Sequence, residues 1–399
     1  MSSKFTIVCN PGPILFHLKS TVSVALAKAF LIAAFLVPIC LPAADVVSKS
    51  PAPATPFKEK GTLPAPEQAV QAGRTPSFSA APTPVPIGTL FEPGHDGVIL
   101  IALEHLYRGD YTSADSTLLA LPDCPARAFF RGLVGVNRFD DLGDTSALFA
   151  AEALWERVDR AADSSGSVFR RDANFPLYRG LSGLQLSYVA SVTGGRIRAA
   201  RLGRKAVGLL RPLAHLAEAE AALALYDYYK ATLLKGMDWV PFVTADKQTP
   251  LKRLEAAIPR SRYLREILRT SLVWLYYDAS RYEDGLKPIE AFLVRFPRNR
   301  PYRQMQADFR YRKGDLDSAL VIHQRLASEY LDLGRIYPTP AYLPLGYLSS
   351  VGNLSKIYAS KKHRDSLDRQ LTIWHSRDYK GTMRWLPASL KREVEALKK

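Results

Sequence analysis

Cysteine is scarce: three residues, Cys9, Cys40 and Cys124, in a chain of 399. That excludes a disulfide-stapled scaffold and a multi-cysteine zinc or iron–sulfur site. The seven histidines include no His-Glu-x-x-His and no pair four residues apart, so a helical zinc site is not expected, nor is any other metal. Phosphate-cradling glycine patterns are missing, both Gly-x-x-x-x-Gly-Lys and Gly-x-Gly-x-x-Gly. Serine stands in neither Gly-x-Ser-x-Gly nor Ser-x-x-Lys. Together these absences point away from an enzyme and from any cofactor. Asn-Gly hairpin dipeptides do not occur, and Asp284-Gly285 falls inside a helical pattern.

Acids are absent from residues 1–44, and Arg from everything before Arg74. Lys4, Lys19 and Lys28 are followed by an apolar run from Ala29 to Cys40, then by Pro42-Ala43-Ala44 and the first acid, Asp45. A basic start, a short apolar middle and a small-residue end make the pattern of a secretory signal peptide or N-terminal membrane anchor. The expected location is therefore export: periplasm, or membrane-associated in the cell envelope. Lipidation at Cys40 is disfavoured, because Ile39 is bulky where a small residue belongs. Residues 45–93 hold ten prolines mixed with Ala, Thr and Ser. Proline removes backbone donors and fixes φ, so this stretch is expected to be a disordered, semi-extended linker.

From residue 94 to 399 the apolar period becomes helical. A turn recurs in this part: Gly109-Asp-Tyr111-Thr-Ser-Ala114, Ser280-Arg-Tyr282-Glu-Asp-Gly285 and Gly314-Asp-Leu316-Asp-Ser-Ala319. Tyr282 and Leu316 are 34 residues apart, and so are Gly285 and Ala319. Glycine suits a left-handed turn, and the small residues suit a close approach of helices. Gly194-Gly195 reads as another turn, 213–234 as one long helix, and 342–374 as a further helix pair with its turn at 361–364.

These residues resemble the tetratricopeptide (TPR) repeat, whose unit is a 34-residue helix–turn–helix. The resemblance implies an all-α, TPR-like α-solenoid of antiparallel helix pairs. It also implies that first helices line a concave face. By repeat position, the inner residues of the two clearest units are Thr270, Trp274, Tyr277 and Asp278, then Gln304, Asp308, Tyr311 and Arg312. An aromatic and hydrogen-bonding groove of Thr270, Trp274, Tyr277, Gln304, Asp308, Tyr311 and Arg312 would suit an extended peptide or a partner helix.

The net charge is +16. Arg196, Arg198, Arg201, Arg204 and Lys205 form a basic patch on one helix, suited to an anionic membrane surface or an acidic envelope polymer. Nucleic acid is the disfavoured partner, because export argues against it. The expected function is a non-catalytic scaffold or adaptor of a bacterial-type cell envelope, holding a protein or peptide partner in its groove. Two alternatives stand beside it. One is a helical cell-wall hydrolase with a cryptic acid among Glu218, Glu220 and Glu329. The other is a basic protein that binds a membrane surface or nucleic acid.

Overall fold

A computed structural model describes residues 93–164, 166–234, 246–336, 345–376, 383 and 385–397. The expected leader, and the linker up to residue 92, lie outside the described residues, as do residues 235–245 and 337–344. Every regular element described is a helix, and the helices run in antiparallel pairs. The pairs are α1 (Pro93–Arg108) with α2 (Tyr111–Leu118), and α3 (Pro125–Leu142) with α4 (Thr145–Arg160). Next come α5 (Phe175–Val192) with α6 (Arg196–Leu210), and α7 (Ala217–Leu234) with α8 (Gln248–Ala257). They continue with α9 (Arg265–Asp278) and α10 (Tyr282–Arg295), then α11 (Arg300–Lys313) and α12 (Leu316–Ile336). The last pair is α13 (Leu345–Ser360) with α14 (Arg364–Trp374), after which α15 (Ala388–Ala396) stands alone.

The Gly-Asp turns do two jobs. Gly109, Gly143 and Gly314 sit at φ of 78°, 72° and 88°, the left-handed conformation that ends a helix without a Cβ clash. The aspartate that follows each glycine then caps the next helix. Asp110 accepts from Ser113 N at 3.1 Å, Asp144 from Ser146 N at 3.0 Å, and Asp315 from Ser318 N at 3.2 Å. Gly143-Asp144 lies 34 residues after Gly109-Asp110 and marks a repeat that the sequence reading passed over. Ser280 takes the same left-handed place at φ 56° without being glycine.

Helices approach closely where a side chain is missing. Gly285 faces the ring of Phe309, so its small size serves the next unit's first helix rather than its own partner. Gly132 lies against the Trp155 indole in the same way. Trp155 is fully buried and donates from Nε1 to the Phe129 carbonyl at 3.2 Å.

The solenoid curls until its ends meet. Asn299 donates to the Tyr107 carbonyl at 2.7 Å, and the Tyr107 ring packs edge-on against Phe292, 5.7 Å between centroids. At the centre of this closure is Asp141 of α3, whose side chain is wholly buried. It accepts from Tyr111 OH and from Tyr330 OH, each at 2.8 Å, and from both Nε and a terminal nitrogen of Arg300. Burial works against the Arg300 charge, but Asp141 outweighs it and holds the guanidinium above its ordinary pKa.

Its neighbour Asp140 has no cation. Burial pushes its pKa well above the ordinary carboxyl value; the Tyr188 hydroxyl, donating at 2.9 Å, offsets only part of that, and the Asp141 charge adds to it. The folded state therefore keeps the proton that the unfolded chain releases above the ordinary carboxyl pKa. Asp140 destabilises the fold increasingly as pH rises from there toward its folded pKa. Asp140→Asn should thus be more stable than the parent at pH 7 and lose that advantage near pH 4, as thermal melts at the two pH values would show.

Candidate functional site: an inner cleft of α9, α11 and α13

The first helices of three successive units converge on one cleft, lined by Trp274, Tyr277, Asp308, Ser349, Asn353 and Lys356, with Pro387 and Leu390 at its edge. The space enclosed between these side chains is small, about 20 Å³, room for a water and little more. Trp274 and Tyr277 are one turn apart on α9, and their rings meet edge-on at 5.6 Å. Tyr277 also packs on Phe309 at 5.2 Å, which fixes its ring. Arg312 Nε donates to the Tyr277 oxygen at 2.7 Å. Burial raises the phenol's pKa, so Tyr277 keeps its proton and remains able to donate it.

The polar floor comes from α11 and α13. Asp308 accepts from Asn353 Nδ2 at 3.1 Å, and its other near neighbour is the fully buried His323, with Nε2 at 3.4 Å. Lys356 sits 5.1 Å from the centre of the Tyr311 ring and 2.6 Å from Glu393. The indole Nε1 of Trp274 is buried and has no acceptor among the described residues. An unpaired buried donor costs free energy until something accepts from it.

The seven residues expected to form a groove divide. Trp274, Tyr277 and Asp308 line the cleft, with Tyr311 and Arg312 at its rim through Lys356 and Tyr277. Thr270 and Gln304 do not reach it. They are 3% and 2% exposed and serve the packing: Thr270 shares a 2.5 Å hydrogen bond with Tyr302, and Gln304 donates to Ser349 at 2.7 Å. Sequence reading missed Ser349, Asn353 and Lys356. Their signal was a polar stripe at i, i+4 and i+7 in a helix whose other residues are apolar, glycine or serine.

The basic patch of α6 is partly a seam. Arg198 pairs with Glu152 at 2.9 Å and Glu156 at 2.8 Å, and Lys205 with Asp159 at 2.7 Å, all on α4. Arg201 and Arg204 are exposed, while the Arg196 side chain lies outside the described residues. The three glutamates weighed for hydrolysis are all engaged. Glu218 accepts from Ser261 at 2.8 Å, Glu220 from Arg253 at 2.8 Å, and Glu329 from Arg303 at 2.6 Å. Cys124 caps α3 by accepting from Arg127 N, and burial raises its thiol pKa, which disfavours a nucleophilic thiolate. Among the described residues, no group of three or more His, Cys, Asp or Glu could hold a metal ion.

The architecture is an all-α succession of antiparallel helix pairs. No protein-family model matches the chain, and no curated protein matches it. Among solved structures it is similar to the human IFIT1 dimer with m7Gppp-AAAA, at 15% identity and a TM-score of 0.39. That alignment covers 77% of this chain and 65% of the other, so the chain spans just under two-thirds of that protein's length.

Two expectations are corrected here. Nucleic acid was set aside as a partner because of export, yet the similar structure is of a protein with m7Gppp-AAAA, and the exclusion is withdrawn. The exported, periplasmic or membrane-associated location is withdrawn as well. No helix among the described residues is long and apolar enough to cross a membrane. The leader that suggested export lies outside the described residues, so no helix, charge or contact described here speaks for an envelope.

Proposed function

We propose that this protein is a non-catalytic helical-repeat scaffold that holds a protein or peptide partner in the cleft of α9, α11 and α13. One observation carries the reading. Three inner helices of successive units set the rings of Trp274 and Tyr277, the Asp308 carboxylate and the Lys356 ammonium around a single cleft. Rigid aromatics beside charged and amide groups suit recognition, since a partner gains both burial and hydrogen bonds. The engagement of Glu218, Glu220 and Glu329 in structural pairs supports the non-catalytic part.

A photo-crosslinking residue placed at Tyr311, with a second placed at the half-exposed Phe149 of α4 as control, tests this. The expected result is a discrete adduct from position 311 only, destroyed by protease and resistant to ribonuclease. Equal adducts from both positions, or a ribonuclease-sensitive one, would reject the cleft as a protein site.

A second reading has its own support. The chain carries a net charge of +16, and Arg201 and Arg204 stand exposed without an ion-pair partner among the described residues. Those features suit nucleic acid, whose phosphates would be neutralised with a steep salt dependence. Anisotropy of a labelled single-stranded RNA at two salt concentrations tests it. Loss of binding in Arg201→Glu/Arg204→Glu, with the Tyr311 adduct intact, would favour this second reading.

A further inference from the structure

One wall of the cleft is built by a late segment of the chain itself. After α14 the chain folds back, and Trp385, Pro387 and α15 lie across the inner side of the solenoid. Trp385 packs edge-on against Phe139 of α3, 5.3 Å between centroids. Leu390 sits beside Gly352 of α13, and Val394 is fully buried. Between them Glu393 reaches Lys356 at 2.6 Å and Arg312 at 3.9 Å. Nine residues do not make a helix that persists alone in water, so α15 is helical because it is docked. Its face is an amphipathic pattern, two aliphatic side chains one turn apart with a carboxylate between them.

The fit is incomplete. Glu393 meets both rim cations, yet nothing on α15 accepts from Trp274 Nε1, and the floor formed by Asp308 and Asn353 stays open to the cleft. A segment that satisfies the rim but not the floor is one that a longer side chain could outcompete.

We propose that α15 is a resident pseudo-ligand, and that the partner of this cleft is an amphipathic helix of the same Leu-x-x-Glu-Val type that displaces it. The proposal rests on the scaffold reading above and adds to it a partner chemistry and a built-in competitor. Docking in cis lowers the apparent affinity for any incoming helix by the fraction of time the cleft is free. Loosening α15 must therefore tighten binding in trans.

The probe is a fluorescein-labelled synthetic peptide of residues 385–397, titrated by anisotropy with the full chain. Full chains carrying Glu393→Lys or Leu390→Asp are titrated alongside. Glu393→Lys should bind the peptide at least five-fold more tightly than the parent, and Leu390→Asp more tightly still. A peptide that itself carries Glu393→Lys should bind the variants at least ten-fold more weakly, and pairing it with Lys356→Glu chain should restore part of the loss. Circular dichroism melts show whether Leu390→Asp remains folded. Glu393 lies on the rim, so its substitution decides the matter even if Leu390→Asp unfolds.

Equal binding by the parent and Glu393→Lys overturns the proposal, as does no binding by a folded variant. If the Tyr311 adduct still forms in a variant that refuses the peptide, the resident-helix proposal fails and the scaffold reading stands. If the adduct fails in every chain while the peptide binds as expected, the cleft takes α15 alone and the scaffold reading fails. Displacement of the bound peptide by a single-stranded RNA would reassign the cleft to nucleic acid and overturn the helical partner.

Discussion

Arg300→Met should cost about 3–5 kcal/mol, the usual cost of leaving one charge of a buried pair unpaired. The melting temperature should fall by about 10 °C in a calorimetric scan at pH 7. Asp141 is the reason. Its buried carboxylate would keep the hydroxyls of Tyr111 and Tyr330 but lose the Arg300 cation. The double variant Asp141→Leu/Arg300→Met should regain part of the loss, because removing both charges leaves no ion stranded. It should not regain all of it, since the two tyrosine hydroxyls would then lack their acceptor. A double variant no more stable than the single one would mean that the hydroxyls, and not the charge pair, hold the closure together.

Trp155→Ala should be comparably severe, about 3–5 kcal/mol, because a fully buried indole leaves a cavity that the helices cannot close. The lost hydrogen bond to the Phe129 carbonyl adds to the cost. Gly132 offers the complementary test. Any Cβ there meets the Trp155 ring, so Gly132→Ala alone should cost about 1–3 kcal/mol through overpacking. In a Trp155→Phe background the same substitution should cost less, because the smaller ring yields room. Additive losses in denaturant titrations would show that the two sites do not share that space.

What could be read in advance follows from how local each signal is. The turns at Gly109 and Gly314 were legible because one dipeptide carries both a left-handed residue and a helix cap. The Gly143-Asp144 turn has the same chemistry, but Thr145 begins its second helix where Tyr111, Tyr282 and Leu316 begin theirs, and without the large residue the repeat goes unseen. Trp274, Tyr277 and Asp308 were legible by repeat position. Thr270 and Gln304 share that position yet face packing neighbours, Tyr302 and Ser349, that lie 32 and 45 residues away in sequence. The same holds for Arg198 and Lys205. Their acids on α4 precede them by more than forty residues, so a cluster that looks uniformly basic in sequence is half neutralised in space. Nothing in the run from Trp385 to Ala396 says that it returns to the inner side, since its contacts are made with helices far upstream.

The closure at Asp141 also sets an order of events during synthesis. Asp141 leaves the ribosome 159 residues before Arg300 and 189 before Tyr330. The early pairs must wait with an acidic node that has not met its cation, and no single repeat can complete it. An open row of repeats can fray from either end. In this chain an early pair is held by residues made long after it, so a truncation that removes Arg300 and Tyr330 should be felt most strongly around α2 and α3.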